Sequence, residues 1–115
     1  MARYDISNGG RTRRLERKFQ KDLKNELERR FPGCVILKND PTYEQGIPDL
    51  LVLHEDTWAA LECKRSKDAH RQPNQEDWVD ILNNMSYASF IYPENKDQVL
   101  NELDLYFGKA KAVKA

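Results

Sequence analysis

The chain has 115 residues, 39% hydrophobic and 33% charged, which is enough for one buried core and too little for two. No window approaches the roughly 20 apolar residues of a membrane span, and the N-terminus lacks an apolar signal segment, so a cytoplasmic or nucleoid setting without membrane contact is expected. A net charge of zero excludes a uniformly basic nucleic-acid binder, and two cysteines, Cys34 and Cys63, are too few for a disulfide framework and read as buried reduced thiols.

Residues 1–11 carry Gly9-Gly10 and scattered arginines without periodicity and read as a flexible basic arm. Thr12 is placed to cap a helix running to about Arg30, in which Leu15, Phe19, Leu23 and Leu27 step by four into one apolar stripe. Pro32-Gly33 stops it. Cys34 to Leu37 reads as a first strand and the polar stretch from Lys38 to Pro48 as a loop. Asp49–His54 and Thr57–Lys64 read as a second and third strand. The short Glu55-Asp56 link makes them an antiparallel hairpin.

Arg65 to Gln72 is a basic loop. Pro73 suits the first position of a helix whose apolar face is Trp78, Ile81, Leu82 and Met85. Tyr87–Tyr92 reads as a fourth strand, ended by Pro93. Asn95 then caps a last helix with Val99, Leu100, Leu103, Tyr106 and Phe107 inward and Gly108 as its stop. Residues 109–115 form a basic tail, leaving 12–108 as a single domain. The order αβββαβα, with a strand–helix–strand crossover, predicts an α/β fold: a mixed central sheet flanked by helices.

Charge is distributed in blocks. Residues 1–31 hold ten Lys/Arg against five acids, residues 32–62 one against six, residues 63–75 four against one, and residues 76–107 one against seven. Such blocks let basic segments stand beside an acidic pocket in a neutral chain. The pocket has a natural location. On a strand, Glu62 and Lys64 point to one face and Cys63 to the other. Asp49, 13 residues upstream, opens the paired strand beside them. Asp49, Glu62 and the backbone carbonyl of Cys63 make an oxygen-rich site suited to Mg²⁺, with Mn²⁺ able to substitute. Neither His54 nor His70 has the spacing of a zinc ligand. A divalent ion there would polarise a phosphate, and the Lys64 ammonium would assist the water or the transition state. Taken alone, Glu62 and Lys64 are also consistent with a surface ion pair. Unpaired acids at the ends of apolar strands weigh against that, because isolated buried charge is costly.

Pro48-Asp49 followed by Glu62-Cys63-Lys64 resembles the PD-(D/E)xK nuclease signature. The wider pattern of GIPDLL, ALECK, Gln75 at a helix start and ASFIYP is similar to the VRR-NUC and archaeal-type Holliday junction resolvase branch, over roughly residues 15–93. The resemblance implies a restriction-endonuclease-like fold and metal-dependent cleavage of DNA, often branched, frequently by a homodimer. It also implies a role near the metal for Gln75, for which a capping amide is the plain alternative. A first-helix glutamate would complete the site, Glu16 being preferred to Glu26, with a solvated charge as the alternative for both. A loop hydroxyl, Thr42 or Tyr43, would add a further function.

The basic residues Arg11, Arg13, Arg14, Arg17 and Lys18, together with Arg65, Lys67 and Arg71, are candidates for phosphate contacts that position DNA without reading sequence. The expectation is thus a Mg²⁺-dependent, structure-selective endonuclease, most specifically of Holliday junctions. In that role two sites in a C₂ dimer would make symmetric cuts. The rivals are a nicking, flap or single-strand nuclease on the same fold, a non-catalytic DNA-binding module, and a small metal-binding interaction domain. A short stand-alone nuclease would suit a phage or mobile-element product acting in the host cytoplasm.

Overall fold

In the computed structural model the elements are α1 (Ile6–Arg30), β1 (Val35–Lys38), β2 (Leu50–His54), β3 (Thr57–Cys63), α2 (Gln75–Met85), β4 (Tyr87–Ile91) and α3 (Lys96–Lys114). The structure describes residues 6–40 and 42–114, with side chains at residue 11, 13–40 and 42–108. The first five residues of the expected arm lie outside the described residues.

The strands form one sheet in the order β1-β2-β3-β4. Its first two pairings are antiparallel and β3 pairs with β4 in parallel, because helix α2 carries the chain across between them. Side-chain alternation then sorts the sheet into two faces. Leu50, Val52, Ala59, Leu61, Cys63 and Ile91 pack under Leu23, Leu27 and Phe31 and under Val99, Leu100, Leu103 and Phe107. This is the main core, covered by α1 and α3. On the other face, Ala60, Ala88 and Phe90 pack with Val79, and Trp58, Leu82 and Tyr92 border them. Helix α2 therefore covers only the β3–β4 half of that face. Among the described residues no helix is long and apolar enough to cross a membrane.

Several element boundaries differ from the sequence reading. Helix α1 begins at Ile6 rather than Thr12, so residues 6–11 belong to the helix and not to an arm. Helix α3 likewise runs through Gly108 into the basic tail. Glycine in a helix interior costs about 1 kcal/mol relative to alanine, and a helix anchored by packing propagates through that penalty one hydrogen bond at a time. Helix α2 starts at Gln75, after a left-handed Asn74 (φ 72°), which leaves Pro73 in the preceding turn.

Two side-chain assignments also change. Asn95 precedes α3, but its Oδ1 accepts the backbone N–H of Tyr92 (2.8 Å) and its Nδ2 donates to the carbonyl of Phe90 (3.0 Å). Its side chain closes the turn after β4, while its carbonyl accepts the Val99 N–H at 3.0 Å at the start of α3. On α2, Ile81 and Met85 are 50% and 70% exposed, and the buried positions are Gln75 and Val79. The stripe on α1 is buried at Leu23 and Leu27 and emerges at Leu15, where the helix outruns the sheet.

Truncation at the centre of the main core is expected to be far costlier than on its surface. Leu61→Ala or Leu100→Ala should each lower stability by about 2–5 kcal/mol in urea unfolding, whereas Leu105→Ala, on the exposed side of α3, should stay within about 0.5 kcal/mol.

Candidate active site

The pairing of β2 with β3 sets Leu50 opposite Leu61. One step further along that register, Asp49 falls opposite Glu62, on the same face and with Cβ atoms about 5 Å apart. Asp49 is fixed there: its Oδ2 accepts the backbone N–H of Cys63 at 2.9 Å. Glu62 is 3% exposed. Its Oε1 accepts the Nε2 of Gln75 at 3.3 Å, while its Oε2 is buried without a hydrogen-bond partner. Burial, the Asp49 charge and proton sharing with the Asp49 carboxyl raise the pKa of Glu62 from the ordinary 4.5 to about 9. Two carboxylates are thus held in contact in a buried place, where a shared proton or a cation must relieve their repulsion.

The groups around this pair come from three elements. Gln75, buried at the first position of α2, is aimed by its own Oε1, which accepts the N–H of Gln72 at 2.7 Å. Its amide thus links the loop at Gln72 to Glu62. Lys64, 6% exposed, donates its Nζ to the carbonyl of His70 at 3.0 Å, and its charge lowers the pKa of both Glu62 and Glu16. Glu16 enters from α1 on the far side. Desolvation raises its pKa, opposed by Lys64, by Arg65 and by a hydrogen bond from the Arg65 backbone.

These residues line one open cleft of about 510 Å³ together with Arg13, Arg65, Ala69, His70 and Gln72. Glu26 lies elsewhere, ion-paired with Lys96 of α3 at 2.9 Å, and of the two glutamates Glu16 is the one that lines the cleft. Thr42 turns its hydroxyl onto Asp40 at 2.7 Å, and Tyr43 is 90% exposed. Neither lines the cleft.

The basic residues divide in the same way. Arg13 and Arg65 face the cleft, while Arg17 lines a separate groove. Lys18 is paired with Asp22 at 2.9 Å, and Arg11, Arg14 and Lys67 are exposed. Arg71 holds Glu76 at 3.0 Å and lies 3.8 Å over the ring of Phe90. With the Lys67 N–H bonded to Glu94 at 3.1 Å, Arg71 ties the basic loop to the body of the protein.

Two contributors had no evident signal in the sequence. His70 holds Lys64 through its carbonyl, which any residue type offers. Gly46 (φ 85°) lies so close to α2 that an added Cβ would meet Asn74 at 2.8 Å. A lone glycine in a turn-rich loop was the only trace of that approach.

Among the described residues no three His, Cys, Asp or Glu side chains are grouped so as to hold a metal ion between them. Asp49, the donorless Glu62 Oε2 and the Cys63 carbonyl could hold a hard divalent ion that completes its shell with water or substrate oxygens, as Mg²⁺ commonly does.

No protein-family model and no curated protein sequence matches the chain. Among solved structures it is similar to a VRR_NUC domain protein, with a TM-score of 0.58 at 17% identity over 80% of this chain and 87% of that one. It also matches Archaeoglobus fulgidus Hjc, a Holliday junction resolvase from an archaeal hyperthermophile, with a TM-score of 0.45 at 15% identity over 66% of this chain and 67% of that one. The mixed four-stranded sheet with flanking helices is the fold shared with the VRR_NUC protein.

The raised pKa of Glu62 has a consequence for stability. Folded protein holds this proton up to about pH 9, whereas an exposed carboxyl loses it near 4.5. Between those values the folded state binds more protons than the unfolded, so stability falls as pH rises. Urea unfolding of metal-free protein from pH 5 to 9 should show this decline, and Glu62→Gln should remove most of it. An undiminished slope in the variant would place the titrating group elsewhere.

Proposed function

We propose that this chain is a Mg²⁺-dependent endonuclease that hydrolyses phosphodiester bonds of branched DNA, with four-way junctions as the leading substrate. The observation that carries this reading is the enforced contact of Asp49 with Glu62, one oxygen of which is buried without a donor, beside a buried lysine and two cleft-facing arginines. The fold shared with a VRR_NUC domain protein supports the same class of chemistry.

Asp49, Glu62 and the Cys63 carbonyl would hold the ion, with Glu16 the further carboxylate in reach of the cleft. A bound Mg²⁺ or Mn²⁺ would polarise the scissile phosphate and lower the pKa of a water beside it. The side chains supply the rest. Gln75 keeps Glu62 oriented, so the carboxylate pair is set before substrate arrives. Lys64 offers a desolvated ammonium to the negative charge that grows on the phosphate in the transition state, exchanging the His70 carbonyl for a stronger anionic partner. Arg13 and Arg65 take the phosphates on either side of the reacting one.

Symmetric cleavage of a four-way junction requires two such sites, and the proposal therefore includes a C₂ homodimer. Its support is the uncovered half of the sheet. Val35 and Leu37 on β1 share a face with Leu51 and Leu53 on β2, where among the described residues no helix lies. Asn83 bonds the N–H of Ala88 on β4, which turns Ile81 and Met85, on the other flank of α2, toward this strip. Val35, Leu37, Ile81 and Met85 are between 46% and 70% exposed. Together they present on the order of 400 Å² of apolar surface, about half of the roughly 800 Å² that each partner gives to a standard interface.

Two sets of variants test the reading. With labelled linear, flap and four-way substrates, cleavage should require Mg²⁺ or Mn²⁺. Asp49→Ala and Glu62→Ala should each lose on the order of a thousandfold in rate, about 4 kcal/mol of transition-state stabilisation, and Lys64→Met roughly a hundredfold. Unchanged Mg²⁺-dependent cleavage by Glu62→Ala would put the site elsewhere. In sedimentation, the wild type should be a dimer and Leu37→Glu/Met85→Glu a folded monomer that nicks junctions without resolving them. A wild-type monomer indifferent to four-way junctions would instead identify a nicking, flap or single-strand nuclease.

A further inference from the structure

A second basic feature lies beside the cleft. Arg17, Lys21 and Lys24 of α1 and Lys38 of β1 line a groove of about 260 Å³ floored by Gln20, Ile36 and Leu50. None of the four cations is in an ion pair among the described residues, whereas Lys18, Arg30, Arg71 and Lys96 all are. In a chain whose net charge is zero, four unpaired cations around one groove repel one another unless an anion lies between them. The aliphatic stems of the lysines and the apolar floor give that anion a shaped, partly dry seat.

The groove adjoins the cleft. Lys38 pairs with Leu50, the residue immediately after Asp49, so both features meet at the first residues of β2. On α1, Arg13 lines the cleft, and Arg17, Gln20 and Lys24 follow it on one flank of the helix at steps of three or four. From Arg13 to Lys24 the helix rises about 16 Å, the span of about five phosphates at 3.4 Å per phosphate along one strand of a duplex. Glu28, a turn beyond Lys24 on the same flank, ends the basic run.

We propose that this groove is the track for one duplex arm of the DNA, holding about five phosphates on one side of the scissile bond through Arg17, Lys21, Lys24 and Lys38. The inference rests on the nuclease reading for the identity of the polyanion and assigns the arm a direction: along α1, away from the Asp49–Glu62 pair. Contacts of this kind add affinity and orientation without base selectivity.

The test is equilibrium binding of a labelled four-way junction and a linear duplex, without a cleaving metal, from 50 to 300 mM salt. For Lys21→Gln/Lys24→Gln/Lys38→Gln the slope of log K against log salt should fall by about 0.9 for each lost contact, close to 2.7 in all, with affinity at least tenfold weaker and thermal unfolding unchanged. Arg29→Gln, on the opposite flank of α1, should leave the slope as in the wild type. A groove variant with the wild-type slope overturns the track while leaving the nuclease proposal standing. A wild type that binds no DNA overturns both. As an independent reading, substrates with fewer than about five base pairs on one arm should bind wild type and groove variant alike, and a persistent difference between them on such substrates would also count against the track.

Discussion

The site depends on one constraint, the antiparallel register of β2 and β3 that places Asp49 opposite Glu62. Carboxylates do not choose such proximity. The backbone ladder enforces it, the Cys63 N–H fixes one partner and the Gln75 amide steadies the other. The sheet behind them, with Leu61 and Cys63 almost fully buried, is too well packed to let the strands slide, since a slip by one residue would turn every core side chain toward the wrong face. Repulsion between the acids therefore appears as a retained proton on Glu62 rather than as a displaced strand.

Around that pair, the chain separates its charges by element. The acids of the cleft come from strand ends and α1, and the facing cations from α1 and the loop that leaves β3. Not every basic residue is free for a ligand. Arg71, for all its proximity to β3, is engaged with Phe90 and Glu76, and the loop it tethers presents the carbonyl that holds Lys64. A basic segment can thus serve first as scaffold, while Arg13 and Arg65 face the cleft.

Much of this was legible in the sequence because strand periodicity and short links constrain register strongly. The two-residue connection at Glu55-Asp56 fixed the hairpin, and the hairpin fixed which acid meets which. Helix ends were less legible. Gly9-Gly10 and Gly108 look like breaks in isolation, yet the helices run through them. On α2, Ile81 and Met85 are apolar yet exposed, since hydrophobicity reports that a residue avoids water and not which neighbour excludes it. Backbone partners such as the His70 carbonyl carry no side-chain signature at all.

Whether the Asp49–Glu62 pair is built for a divalent cation can be read most directly by calorimetric titration of the protein with Mg²⁺ at pH 7 in buffers of different ionisation enthalpy. Because Glu62 retains its proton up to about pH 9, the ion should displace close to one proton per site on binding, and Glu62→Gln should abolish both the binding and the release. Binding without proton release, or equal binding by the variant, would contradict the account.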